Sequence, residues 1–181
     1  MKFIETPLQG AYVIDIEPAR DERGFFARTW SRADFAARGL DTTVEQCSVS
    51  FSARRGTLRG LHYQTTPHAE VKLVRCTHGA VYDVIVDLRR HSPTFCRWFG
   101  IELTAETNRM LYVPKGMAHG FLTLTADTSV HYQMSHAHVP EAARGVRWND
   151  PAFGIAWPEP VEVIAERDRR YPDFIPGDGE A

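Results

Sequence analysis

Cysteine is scarce in this chain, and the little there is fits no pattern. Cys47, Cys76 and Cys96 are three in 181 residues. An odd, scattered set excludes a closed disulfide framework and lacks the paired spacing of a zinc ribbon. Reduced thiols of a cytoplasmic protein are expected. Long apolar runs are missing too. Met-Lys-Phe-Ile-Glu-Thr-Pro at the start is no signal-peptide core, so no membrane partner is expected. Charge of one sign is not in excess either. The 21 Lys and Arg nearly balance the 23 Asp and Glu, and a net charge of -2 supplies no field to hold nucleic acid. Without repeat, low-complexity stretch or linker, residues 1–181 are expected to form one domain, with 175–181 flexible.

What is present is strand chemistry. Apolar residues make up 43% of the chain, enough for one sizeable core. Short runs at Val71–Thr77, Ala80–Leu88, Trp98–Leu103, Arg109–Val113, Gly120–Leu124 and Ser129–Met134 are separated by turn residues. Those turns are His78-Gly79, Ser92-Pro93, Pro114-Lys115-Gly116 and Ala126-Asp127. Such spacing predicts a β-sandwich or barrel. In Ala80–Leu88, Tyr82, Val84, Val86 and Leu88 share one face, and Asp83 and Asp87 the other. One helix is expected near the start, with Ser31 as cap, Asp34 at capping-box spacing, Phe35 facing inward and Gly39 ending it. The Pro-rich, charged segment after Trp157 is expected to wrap the barrel without regular structure.

The richest stretch is Gly56-Thr57-Leu58-Arg59-Gly60-Leu61-His62-Tyr63-Gln64. A strand carrying Arg59 and His62 among leucines is costly to bury unless something anionic or reactive meets them. The plainer reading is a surface strand end with a satisfied histidine. Pro114-Lys115-Gly116-Met117-Ala118-His119 fits the Pro-x-Gly-x-x-His half of a cupin signature. The other half in metal-binding cupins needs His-x-His, where this chain has His62-Tyr63-Gln64, and a neutral amide is a poor substitute for imidazole. His136-Ala137-His138 has the spacing without a nearby carboxylate. No metal and no cofactor are therefore expected, and His68, His78, His91 and His131 are expected to be surface or structural. Without a metal, His62 is free to act as a base. Tyr132 is either a core aromatic or an acid opposite His62. Lys72 is either a solvated strand end or a cation meeting an anion or a carbonyl.

Further motifs join these in order: Arg23-Gly24-Phe25-Phe26, Lys72-Leu73-Val74-Arg75, Asp83-Val84-x-Val86-Asp87, Ser92-Pro93-Thr94-Phe95, Ala118-His119-Gly120-Phe121, Tyr132, Trp148-Asn149-Asp150-Pro151 and Gly154-Ile155-Ala156-Trp157-Pro158. The set closely resembles the dTDP-4-dehydrorhamnose 3,5-epimerase family of cupin-fold sugar-nucleotide isomerases, over about residues 1–174. The resemblance implies an all-β cupin, or jelly-roll, barrel that forms a homodimer and acts on a dTDP-linked nucleotide sugar. By the same resemblance His62 is the general base, Asp168 orients it, Tyr132 is the proton donor on the opposite face of the sugar, and Lys72 lies against the keto oxygen. His119 and Asp83 would line the same cavity. Arg59 and Arg167 match pyrophosphate-binding positions, and Arg23, Phe26 and Gln46–Ser48 match the nucleoside-binding edge.

Four positions depart from the family pattern. Arg28 stands where a Glu is usual, Ser48 where an Asn is usual, Ala137-His138 in place of an aromatic pair, and Ala143 in place of a Glu. His138 is retained among the substrate-facing positions. The implied proton-transfer set is intact while its surround is altered, so a different nucleobase or inversion at one centre only is an open alternative. A cupin sugar 3,4-ketoisomerase, a binding module that has lost activity and a metal-dependent oxygenase are the rival readings.

Overall fold

The computed structural model describes residues 1–176. The expected flexibility of 175–181 falls mostly outside them. The chain begins with β1 (Lys2–Glu5), β2 (Tyr12–Asp15), β3 (Ala19–Asp21) and β4 (Gly24–Phe26), then α1 (Arg32–Ala36). Next come β5 (Gln46–Ser52), β6 (Thr57–Gln64), β7 (Lys72–His78), β8 (Ala80–Asp87) and β9 (Trp98–Thr104). The chain continues through β10 (Met110–Val113), β11 (Met117–Thr123), β12 (Thr128–Met134) and β13 (Ala143–Gly145) to β14 (Val163–Ile164) and α2 (Glu166–Arg169). One sheet runs β1-β2-β10-β7-β12-β5, and the facing sheet runs β13-β6-β11-β8-β9 with β14 added beside β6. The expected all-β jelly-roll is what the chain forms. No helix among the described residues is long and apolar enough to cross a membrane.

Three apolar layers hold the sheets. Val13, Val74, Leu111 and Val130 from the first sheet meet Val81, Ile85, Leu103 and Phe121 from the second. Each such buried side chain contributes about 1.5–3 kcal/mol relative to exposure. On the outer face of the first sheet, α1 lays Phe35 against Ile14, Leu73 and Tyr112. Ser31 caps that helix through the Asp34 N–H, and Gly39, at φ +68°, takes the chain out of it. The outer face of the second sheet is covered by the C-terminal segment, where Phe153, Trp157 and Phe174 pack on Val84, Val86 and Leu88. Both faces of β8 are therefore buried. Its polar-looking face, with Asp83 and Asp87, turns inward alongside Val81 and Ile85. The expectation of a wholly irregular C-terminal segment is corrected: Val163–Ile164 pairs parallel with Thr57–Leu58, and Glu166–Arg169 makes one helical turn. Gly56 carbonyl oxygen accepts from the Glu162 and Val163 N–H groups, which starts this short pairing.

Candidate active site

A cavity of about 780 Å³ opens between the sheets. Its wall carries Gln46 and Ser48 from β5, Arg59 and His62 from β6, Lys72 from β7, His119 from β11 and Tyr132 from β12. His138, and Arg167 and Asp168 from α2, complete it.

A local irregularity in β6 sets the position of His62. His119 pairs with His62 and Phe121 with Arg59, so two steps of β11 face three steps of β6. This is a bulge. It reverses the inside–outside alternation between Arg59 and His62, so that both reach the cavity. Gly60 sits at the bulge with φ +125°, and a Cβ there would come within 2.6 Å of Gly120 Cα. Only glycine fits that crossing. The Gly60 N–H donates to Asp168 Oδ2 at 3.1 Å, and Asp168 Oδ1 lies 2.7 Å from His62 Nε2. A carboxylate only accepts, so Nε2 donates to Asp168, and in the neutral ring the lone pair is on Nδ1. Burial works to raise the Asp168 carboxyl, but the His62 hydrogen bond and charge, the Gly60 N–H and the Arg167 charge outweigh it and hold it low. The Tyr171 ring stands edge-on to His62 with centroids 6.3 Å apart.

The sheet that faces β6 supplies Tyr132 from β12 and Lys72 from β7. Tyr132 lines the cavity and also packs against the core between the sheets. Its ring meets His119 edge-on at 6.0 Å. His119 Nε2 donates to both oxygens of Asp83, at 2.9 and 3.0 Å. Burial first, then the Asp83 charge, push the Tyr132 phenol far up, with Arg59 opposing. The phenol thus holds its proton throughout the neutral range. Lys72 Nζ donates to the His62 carbonyl at 3.1 Å and pairs with Glu70 at 3.0 Å. Arg59 is fixed by Ser52 Oγ at 3.1 Å and the Phe51 carbonyl at 2.9 Å, and Arg167 Nε donates to Tyr171 Oη at 2.9 Å.

Three expected residues are not in the wall. Asp83 is fully buried behind His119, so its place is to orient that ring and not to line the cavity. Arg23 and Phe26 lie on the exposed β3–β4 hairpin, where Arg23 pairs with Asp21 and Phe26 is 80% exposed. Sequence reasoning missed Glu70, Tyr63, Met134 and Arg144, all in the wall, and Tyr171 beside it. Glu70 had a signal, since Glu-Val-Lys places it on the face of Lys72. Gln64 is spent on backbone: its Nε2 donates to the His68 and Ala137 carbonyls, and its Oε1 accepts from Val139 N–H at 2.6 Å. Among the described residues no group of three or more His, Cys, Asp or Glu could hold a metal ion.

A family model described as dTDP-4-dehydrorhamnose 3,5-epimerase matches residues 5–175. A protein of that name from Methanothermobacter thermautotrophicus is 42% identical over 173 residues, covering 94% of this chain and 92% of its own. The crystal structure of the dTDP-4-dehydrorhamnose 3,5-epimerase from Bacillus anthracis, with TDP and PPi bound, superposes with a TM-score of 0.92 at 41% identity, covering 96% of this chain and 99% of the other. A 3'-monoepimerase from Streptomyces bikiniensis in complex with dTDP-quinovose matches with a TM-score of 0.86 at 36% identity, covering 93% and 85%.

Proposed function

This chain belongs to the dTDP-4-dehydrorhamnose 3,5-epimerase family, a family of isomerases, and from that premise we propose that it epimerises a dTDP-linked 4-keto-6-deoxy sugar without metal or redox cofactor. The observation that carries this reading is one cavity holding the His62–Asp168 pair, Tyr132 and Lys72.

A 4-keto sugar has acidic hydrogens at C3 and C5, because the electron pair left behind delocalises into the carbonyl. His62 takes the proton, and the C–H electrons become the enolate double bond while the carbonyl π pair moves to O4. Lys72 meets that growing negative charge with an N–H, the role of an oxyanion hole. Tyr132 then delivers its O–H proton to the carbon from the other side of the ring, and the electrons return to re-form the ketone. Imidazolium and phenolate reset by exchange with solvent. Asp168 keeps the imidazole in one tautomer and stabilises the imidazolium, as a carboxylate does in a hydrolase triad. Arg59 and Arg167 would bind the pyrophosphate, since their planar forks pair with anionic oxygens. Gln46, Ser48 and His138 would contact the substrate around it. Gln64's engagement with backbone supports the metal-free reading.

Homodimerisation is part of this reading. It is supported by β5, an edge strand exposing Val49 at 66% and Phe51 at 55%, and by the exposed Phe25 and Phe26. Unpaired apolar edges of this kind are normally covered. Arg23 and Phe26 lie outside their own chain's cavity, so a nucleoside contact from them would serve a second copy. Light scattering after gel filtration tests the assembly: a monomer at micromolar concentration would end this part of the proposal.

A second reading is favoured by one observation. Three of the departures from the family pattern, Ser48, His138 and Ala143, line the cavity. A different nucleobase or inversion at a single centre fits an altered surround around an unaltered proton-transfer set. Incubation in deuterium oxide with dTDP-4-keto-6-deoxyglucose separates the readings by NMR. Deuterium at C3 and C5 with double inversion supports the first, deuterium at one centre the second, and silence across a panel of nucleotide keto sugars a binding module.

A further inference from the structure

Two buried side-chain atoms have no hydrogen-bond partner among the described residues, His68 Nδ1 and Glu70 Oε2. Glu70 is one of the residues that line the cavity, with this oxygen just beneath its surface. The Glu70 side chain is only 7% exposed, and its other oxygen, Oε1, holds Lys72 Nζ at 3.0 Å. A buried carboxylate oxygen left without a donor is costly, and native structures seldom leave one so. Lys72 Nζ has three N–H groups. One meets Glu70, one the His62 carbonyl, and one has no partner among the described residues. Two residues of the cavity lining thus hold a spare donor and an unpaired acceptor, the acceptor within reach of a ligand once the Glu70 carboxylate turns.

Resting on the epimerase reading, we propose that Glu70 and Lys72 together recognise an α-hydroxy ketone. Lys72 donates to the carbonyl oxygen, and Glu70 Oε2 accepts from the hydroxyl on the neighbouring carbon. In a 4-keto-6-deoxy hexose only C3 answers that description, since C5 carries the methyl group and the ring oxygen. Glu70 is thus a specificity residue for the 3-hydroxyl. It also fixes which way round the ring lies, because the ring turned over would set the methyl group against a buried carboxylate.

The test uses two substrates, dTDP-4-keto-6-deoxyglucose and its 3-deoxy counterpart, and follows deuterium entry at C5, which both possess. Glu70→Gln keeps an oxygen for Lys72 and puts an NH2 donor in place of the free acceptor. With the 3-hydroxy substrate the variant loses about 10- to 100-fold in kcat/KM, the worth of a charge-assisted hydrogen bond. With the 3-deoxy substrate it loses less than about threefold. An equal loss on both overturns the proposal, because Glu70 would then act only through Lys72, and no loss on either overturns it too. Wild-type protein gives a check that needs no variant. It binds the 3-deoxy compound at least about tenfold more weakly, since the carboxylate oxygen is then left unpaired, and equal affinity refutes the assignment. Wild-type silence at C3 as well as C5 with both compounds defeats the reading as an epimerase of dTDP-linked sugars, and this inference with it.

Discussion

Arg59 and His62 face one cavity although they stand three positions apart in one strand. A regular strand would send them to opposite faces. The bulge at Gly60 brings them together, and its N–H is taken up by the carboxylate that also holds His62. Gly60→Ala would push a methyl group into Gly120 and strain a positive φ. It is expected to lower stability by about 3 kcal/mol or more and to abolish exchange activity. Urea unfolding followed by circular dichroism, with NMR exchange on the same sample, checks both. A stable, active variant would show that the crossing tolerates a side chain.

His62→Ala removes the proposed base. Deuterium entry at C3 and C5 is expected to fall about a thousandfold, within the usual range for a general base, with little change in melting temperature. A variant that still exchanges both positions at the original rate excludes His62 as base.

Tyr132→Phe should separate two events that are joined in the native protein. His62 can still remove a proton and return deuterium to the same face, so exchange persists. Inversion is expected to fall about a hundredfold or more. Product stereochemistry and deuterium content, read from one NMR time course, decide it. Parallel loss of both places Tyr132 in the first step instead. Because burial and Asp83 raise the phenol so far, no loss of its proton should limit native activity below about pH 10, the ordinary tyrosine value.

Asp87 carries stability and is remote from the chemistry. It is fully buried, and its oxygens accept from Arg89, Ser92 and Thr94. Burial works to raise its carboxyl, but these partners hold it below the ordinary 3.8. The unfolded chain therefore takes up the proton first as pH falls. The stabilisation is complete above about pH 4 and is lost as pH drops through the folded-state value. Asp87→Ala leaves Arg89 without its partner and is expected to cost about 3–5 kcal/mol at pH 7. The gap between variant and wild type should narrow in strong acid. A pH-independent gap in denaturant midpoints would assign the loss to packing.

The barrel was legible because its turns are chemically explicit: His78-Gly79 and Pro114-Lys115-Gly116 each stop a strand, and the expected strands fall within a residue of their bounds, except that β11 starts at Met117, three residues before the expected Gly120. Which face of β8 turns inward was not legible, since alternation says only which residues share a face. The covering segment around Phe153 and Trp157 buries the apolar face from outside, and this leaves Asp83 in the interior, bound to His119. The site's charged members were visible as residues too costly to bury idly. The bulge at Gly60 was not, because one extra step in a pairing leaves no mark in a single strand's sequence. Glu70 was overlooked because a glutamate just before a strand resembles a solvated end until its burial is known.

The distance in sequence between His62 and Asp168 has a consequence in time. The strands of both sheets, β14 excepted, are complete by Gly145, whereas the carboxylate that braces the base lies 106 residues beyond it. During synthesis the N-terminal part can fold first, and the barrel can close around a histidine that has no brace. Proton transfer at full rate is then acquired last, when the final turn of helix docks. A chain interrupted before Asp168 would hold His62 without the carboxylate that orients it.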